Sequence, residues 1–429
     1  MNMFAPQSTV SFQQADTYQA LKGQLHRSLI DLIEEEQAPV AEWSREVLRR
    51  YIEGKIDAYV AKNRLALNRR ELEALTDDMM DEINGLGPIQ SLIEDDEVND
   101  ILVNGYKKVF VERRGRLEAT SVRFVDDRHV LRIIQRIVAP LGRRVDESNP
   151  MVDARLADGS RVNAIIAPLA LDGPSVSIRK FRQDPLRAGD MLAYQTLSED
   201  MLGFLQRAVR ARCNILISGG TGSGKTTILN VLSQSIPTEE RLVTIEDAAE
   251  LQLGHPHVVR LETRPPNLEG KGEVAARDLV RNALRMRPDR IITGEVRGVE
   301  VMDMLQAMNT GHPGSMSTIH SNSPRDALHR LELLVGFAGF VGSSQVLRQW
   351  IAGSIELVVH VGRLSNGERK VISVSEIVGV ADDKYLMQEI FSYDLPTRHF
   401  VQRIPQPRNP KLRWIMDKNG NNPVSVMEV

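Results

Sequence analysis

Between Leu21 and Ile33 the apolar residues Leu21, Leu25, Leu29, Leu32 and Ile33 return every three or four positions, which puts them on one face of a helix. Val40, Trp43, Val47 and Tyr51, then Ile56 and Tyr59, repeat the pattern, and a third helical stretch runs to about Ile83. A small helical domain is therefore predicted to end at the Gly85–Pro88 turn. The pattern then shortens. Runs at Asp100–Val103, Lys108–Val111, Val162–Ile166 and Ser175–Ile178 read as strands around one helical stretch, His129–Val138. Asn104-Gly105, Arg114-Gly115 and Asp158-Gly159 supply the hairpin turns of an α+β domain over residues 86–182. Residues 183–197, with Pro185 and Gly189, read as a linker. From Ser198 apolar strands alternate with helical patterns, the signature of a parallel sheet covered by helices, over residues 198–394. The first 15 or so residues read as a polar, mobile terminus, and residues 395–429, rich in Pro, Asn and Arg, as an irregular tail.

The chemistry concentrates in the third segment. The apolar run Asn214–Ile217 leads into Gly219, Gly220, Thr221, Gly222, Ser223, Gly224, Lys225 and Thr226, followed by a helical pattern from Thr227. This is the GxxxxGK[ST] phosphate loop in its strand-loop-helix setting. Its backbone N–H groups are expected to wrap phosphates, Lys225 to reach the outer ones, and the Thr226 hydroxyl to ligate Mg²⁺. Ligands of open α/β sheets sit beyond the carboxyl ends of the strands, so the phosphate loop marks the active edge. By that rule Glu246, Glu295 and His320, each at or just past the end of an apolar run, converge on the nucleotide, while Asp289 precedes its strand and reads as structural. Hydrolysis needs one carboxylate for hydrated Mg²⁺ and another group to orient water. Glu295 is assigned to the metal and Glu246 to the water; the reverse assignment stays open, as does an exposed Glu246 paired with an arginine. His312 and His320 lack the partners of a zinc site. They read as a phosphate sensor or as hydrogen-bonded structural residues. Arg277, Arg281 and Arg285 fall on one helical face, either a solvated one or one that reaches across a subunit boundary as arginine fingers.

Composition narrows the class. At 429 residues the chain is long enough for two or three domains. With 42% hydrophobic and 26% charged residues it reads as neither disordered nor membrane-spanning, since no apolar run approaches the ~20 residues of a membrane helix. No basic-then-apolar leader is evident, and a cytoplasmic location is expected. The one cysteine, Cys213, excludes an intramolecular disulfide and a cysteine-rich zinc site. A net charge of −3 and 5% aromatic residues argue against a nucleic-acid translocase, the alternative use of such a core.

Taken together, the boxes at residues 211–227, 244–253, 264–274, 287–298 and 310–332, with 101–105, 152–164 and 177–181 upstream, closely resemble the type II/IV secretion ATPases. Within them the likeness is to the tight-adherence (Flp) pilus motors of the CpaF family. The resemblance implies a RecA-like P-loop core, preceded by a PAS-like α+β domain and a small helical bundle. It implies ATP and Mg²⁺ as ligands and a homo-hexameric ring. It further implies attachment through an inner-membrane platform protein at the inner face of the cytoplasmic membrane, with no nucleic acid. By the same resemblance Gly220 to Thr227 bind nucleotide, Glu246 is general base, His320 is sensor, and Arg155, Arg161 and Arg179 face the nucleotide from the α+β domain. The paired CxxC motifs of many pilus-extension motors are missing, which favours the tight-adherence branch.

Overall fold

The computed structural model describes residues 12–113, 115–181, 186–266 and 271–416. The chain divides into two compact units, residues 1–183 and 184–429, each built on cores of its own.

The first unit opens with three helices, α1 (Phe12–Glu35), α2 (Arg45–Asn63) and α3 (Arg69–Asn84). Ser44 caps α2 by accepting from the Val47 N–H, and Asn68 and Glu71 form a reciprocal capping box on α3. Their apolar stripes close on Leu25, Leu29, Leu48, Ile52, Ile56, Leu75 and Met79, all buried. After α4 (Gln90–Glu94) come β1 (Val98–Asn104), β2 (Lys108–Arg113), β3 (Arg116–Ala119), α5 (Asp127–Val138), β4 (Met151–Arg155), β5 (Arg161–Ile165) and β6 (Ser175–Arg179). The strands form one antiparallel sheet in the order β3-β2-β1-β6-β5-β4. Alternate residues such as Ile101, Val103, Val162 and Ile178 pack against Val130, Ile133, Ile134 and Ile137 of α5.

The helical and sheet parts of this unit have separate apolar cores, and polar groups stitch α3 to α5. Arg136 donates to the carbonyls of Glu82 and Gly85 at the end of α3, and His129 Nε2 stands 2.8 Å from Glu82 Oε2 with both side chains buried.

The second unit begins with α6 (Ala188–Ala193) and α7 (Glu199–Arg210). The succession that follows is β7 (Ile215–Gly219), α8 (Lys225–Ser233), β8 (Leu242–Glu246), β9 (Val258–Glu262), α9 (Ala276–Ala283), β10 (Arg290–Thr293), α10 (Val301–Asn309), β11 (Met316–His320), α11 (Pro324–Phe337) and α12 (Ser344–Ser354). It ends in β12 (Leu357–Arg363), β13 (Arg369–Ala381), β14 (Lys384–Asp394), β15 (His399–Gln402) and α13 (Pro410–Met416). One sheet runs β15-β14-β13-β12-β7-β11-β10-β8-β9, parallel from β12 to β9 and antiparallel from β12 to β15. β7 is buried along its whole length, as a central parallel strand covered on both faces must be. Ile215 and Ile217 join Phe204, Leu205, Ile228 and Leu232 on one side, and Leu216 joins Leu305, Leu328 and Ile351 on the other.

Two segments depart from the sequence expectation. Within the expected linker, residues 183–185 lie outside the described residues, but α6 is ordered structure and Met191 and Leu197 enter the main core. The expected irregular tail holds β15, which extends the antiparallel meander, and α13, whose Leu412 and Ile415 are buried in the same core. The Pro and Asn residues there mark the turns between these pieces, while two apolar anchors at helical spacing were too few to signal the helix.

Candidate active site

β7 delivers the chain into the phosphate loop at Gly219. A Cβ at Gly219 would lie 2.2 Å from the Val361 carbonyl oxygen of neighbouring β12 and 2.7 Å from Ser223 Oγ, so the close strand-to-loop packing admits only hydrogen there. Ser223 Oγ and Lys225 Nζ each donate to the Gly220 carbonyl, at 2.9 Å, and α8 starts at Lys225 with its first N–H groups at the loop. Burial pulls the Lys225 ammonium below its ordinary pKa; the Glu295 carboxylate opposes that and the Arg297 guanidinium adds to it. A partly desolvated cation at a helix N-terminus is a strong place for a polyphosphate. Thr221 is exposed, and Gly220, Gly224, Thr226 and Thr227 are half-buried along the same loop and first turn.

Glu246 is the last residue of β8 and is only 4% exposed. Its Oε2 accepts from the backbone N–H groups of Glu250 (2.6 Å) and Leu251 (2.8 Å), while Oε1 is buried without a hydrogen-bond partner. Burial raises its pKa in spite of those two bonds. This disposes of the reading as an exposed acid paired with an arginine. Gly294 packs on it, where a Cβ would come within 3.0 Å of Glu246 Cγ. The β8–β10 register ends with Ile245 opposite Thr293, and Asp247 and Glu295 follow shortly after the ends of these two neighbouring strands. Arg297 Nη2 donates to Glu295 Oε2 at 2.6 Å, and its Nη1 lies 3.6 Å from Asp247 Oδ2.

His320 ends β11, pairs in register with Gly219 and sets its Nδ1 3.5 Å from Thr221 Oγ1. His312 precedes β11 in the Gly314 turn, where Asn214, preceding β7, accepts from the Gly314 and Ser315 N–H groups; it therefore lies at the edge opposite the phosphate loop. Of the two histidines, His320 is the one at the phosphate-loop edge. Asp289 accepts from the Arg241 N–H at that same far edge. The nearby Arg290 is fully buried, forked onto both Glu240 oxygens at 2.6 and 2.9 Å. Arg277 and Arg281 both donate to Asp303 of α10 at 2.9 Å. Two of the three arginines are thus tied to one intramolecular carboxylate at side-chain exposures of 30% and 52%, and Arg285 is exposed.

In the first unit, the sheet register places Arg155 opposite Arg161 and Arg161 opposite Arg179, a row of three cations across β4, β5 and β6. Asp100 on β1 continues the row and accepts from Arg179 Nε at 3.2 Å.

Residues 82–375 match the family described as Type II/IV secretion system protein. The chain belongs to that family. This secretion ATPase is 37% identical over 300 residues to a putative conjugal transfer protein of Mycobacterium tuberculosis, covering 68% of its own length and 85% of the relative's. It is 31% identical over 303 residues to the type IV secretion system protein VirB11 of Brucella suis, covering 64% and 84%. Among solved structures it is similar to the Brucella suis VirB11 ATPase in complex with sulphate, at 28% identity over 67% of this chain and 94% of that one, with a TM-score of 0.37. The membership makes it an ATP-hydrolysing enzyme. No helix among the described residues is long and apolar enough to cross a membrane.

The donor set suits Mg²⁺ carried by nucleotide. Thr226 in the first turn of α8 and Glu295, whose side chain is 24% exposed just past β10, offer hard oxygen donors of the kind Mg²⁺ takes. Sequence reasoning missed Arg363 and Arg369 of the secretion ATPase. These two face each other across the β12–β13 hairpin; Arg369 Nε donates to the Gly222 carbonyl at 2.9 Å, and Arg363 Nη1 would lie 3.7 Å from a Cβ on Gly222. Asn366-Gly367 does signal the hairpin, but only the pairing of β12 with β7 brings it over the phosphate loop.

Proposed function

We propose that this ATPase is the motor of a tight-adherence pilus, working as a homo-hexameric ring under an inner-membrane platform protein. The observation that carries the catalytic half is Glu246: a desolvated carboxylate with one oxygen fixed by two backbone N–H groups and the other unpartnered. A base so held keeps its orientation, and burial raises its pKa, the direction that strengthens a carboxylate as a base. Lys225 and the loop N–H groups bind and neutralise the outer phosphates, and His320 reports their state through Thr221. Thr226 and Glu295 would hold Mg²⁺, which when bound would neutralise charge on the phosphates. Arg155, Arg161 and Arg179, in register across β4, β5 and β6, are proposed to bind nucleotide. The motif set of the tight-adherence branch and the lack of paired CxxC motifs support the pilus reading over its neighbours.

The similarity to a putative conjugal transfer protein keeps a nucleic-acid translocase as the second reading. Steady-state ATP hydrolysis across protein concentrations, with and without single-stranded DNA and with Lys225→Ala as control, separates the two. The motor reading expects specific activity to rise steeply with concentration and to ignore DNA. Severalfold stimulation by DNA would put the translocase ahead.

A further inference from the structure

Arg297 sits where the proposed metal chemistry would be. Its guanidinium lies between two carboxylates, bonded to Glu295 Oε2 at 2.6 Å and 3.6 Å from Asp247 Oδ2. Its backbone is pinned: the N–H groups of Arg297 and Gly298 donate to the same oxygen of the buried Glu300 carboxylate, at 2.7 and 2.8 Å. The side chain therefore springs from a fixed point and is 56% exposed. A guanidinium does not lose its proton in a protein, so its charge is permanent. The charge is felt in the site, since it helps lower the Lys225 pKa. The guanidinium and a hydrated dication would share the Glu295 carboxylate, and the two cations repel one another.

The geometry points to Arg297 as a displaceable counter-cation of Glu295: the carboxylate exchanges the guanidinium for Mg²⁺ when Mg-nucleotide binds, and Arg297 thereby sets how much Mg²⁺ the enzyme requires. This rests on the reading of Glu295 as the metal carboxylate. Asp247 gives the released guanidinium a second partner on the neighbouring chain, so the exchange does not strand the charge.

The test titrates Mg²⁺ against the full-length protein with a fixed, fluorescent N-methylanthraniloyl-ADP and reads the Mg²⁺ concentration at half-saturation. Arg297→Gln should lower it about two- to fivefold, the range for a partly exposed ion pair, and Arg297→Lys should fall between. Glu295→Gln should raise it. An unchanged or raised Mg²⁺ requirement in Arg297→Gln, with Glu295→Gln raised as expected, overturns the exchange and leaves the metal reading standing. No change in Glu295→Gln sinks the metal reading itself. Nucleotide affinity in EDTA is measured alongside; if Arg297→Gln weakens it more than it shifts the Mg²⁺ requirement, Arg297 is a phosphate ligand and the exchange is wrong.

Discussion

Glu246 shows how much of a catalytic role is environment. An acid at the end of an apolar run could be a surface charge; here its single buried, unpartnered oxygen and two backbone anchors separate it from Glu295, which is partly exposed and paired with Arg297. Glu246→Gln keeps the shape and an acceptor for the two N–H groups while removing the base. Its turnover should fall by about 10² or more, with N-methylanthraniloyl-ATP affinity changed only severalfold. Turnover within tenfold of wild type would return the base to Glu295 and reopen the swapped assignment. Cys213 is the opposite case: burial pushes its thiol up to about 12, and it is core.

Strand register decides what individual motifs cannot. The phosphate loop, Glu246, Gly294 and His320 share one edge because β7, β8, β10 and β11 run parallel, and the same register sends His312 and Asp289 to the other edge. Gly219 is the tightest joint in this arrangement. Gly219→Ala would set a methyl 2.2 Å from the Val361 carbonyl, and β7 and β12 are hydrogen-bonded neighbours that cannot part cheaply. Thermal unfolding should report a loss of about 1–3 kcal/mol, with nucleotide affinity falling as the loop is displaced. A variant as stable as wild type that binds nucleotide normally would show that the joint yields.

The two units carry different vulnerabilities. In the first, burial lowers the His26 pKa below its ordinary 6.5; the Glu82 charge opposes this while His129, Arg132 and Arg136 reinforce it. Burial alone would raise Glu82, but the His129 contact and the charges of His129, Lys22 and His26 outweigh that and hold it below 4.5. The unfolded chain therefore binds more protons than the folded one below pH 6.5 through His26, and again below 4.5 through Glu82. Stability of this unit should fall as pH drops through 6.5 and further below 4.5, followed by Trp43 fluorescence in denaturant with Trp350 and Trp414 replaced by Phe. His26→Phe should flatten the upper limb; an unchanged limb would move the cause elsewhere.

From the sequence alone the helical bundle, the α+β segment, the alternating core and the phosphate loop were legible, because periodicity and turn chemistry are local properties. The candidate residues of the core were legible too, because parallel strands bring their carboxyl ends to one edge. Tertiary structure decided what depends on distant partners. It buried Glu246, tied Arg277 and Arg281 to Asp303, lined up Arg155, Arg161 and Arg179, and folded Arg369 over Gly222. Those outcomes turn on register and burial, and charge type along the chain encodes neither. The tail was misread for the same reason: β15 and α13 owe their order to a sheet edge and a core built by residues far upstream.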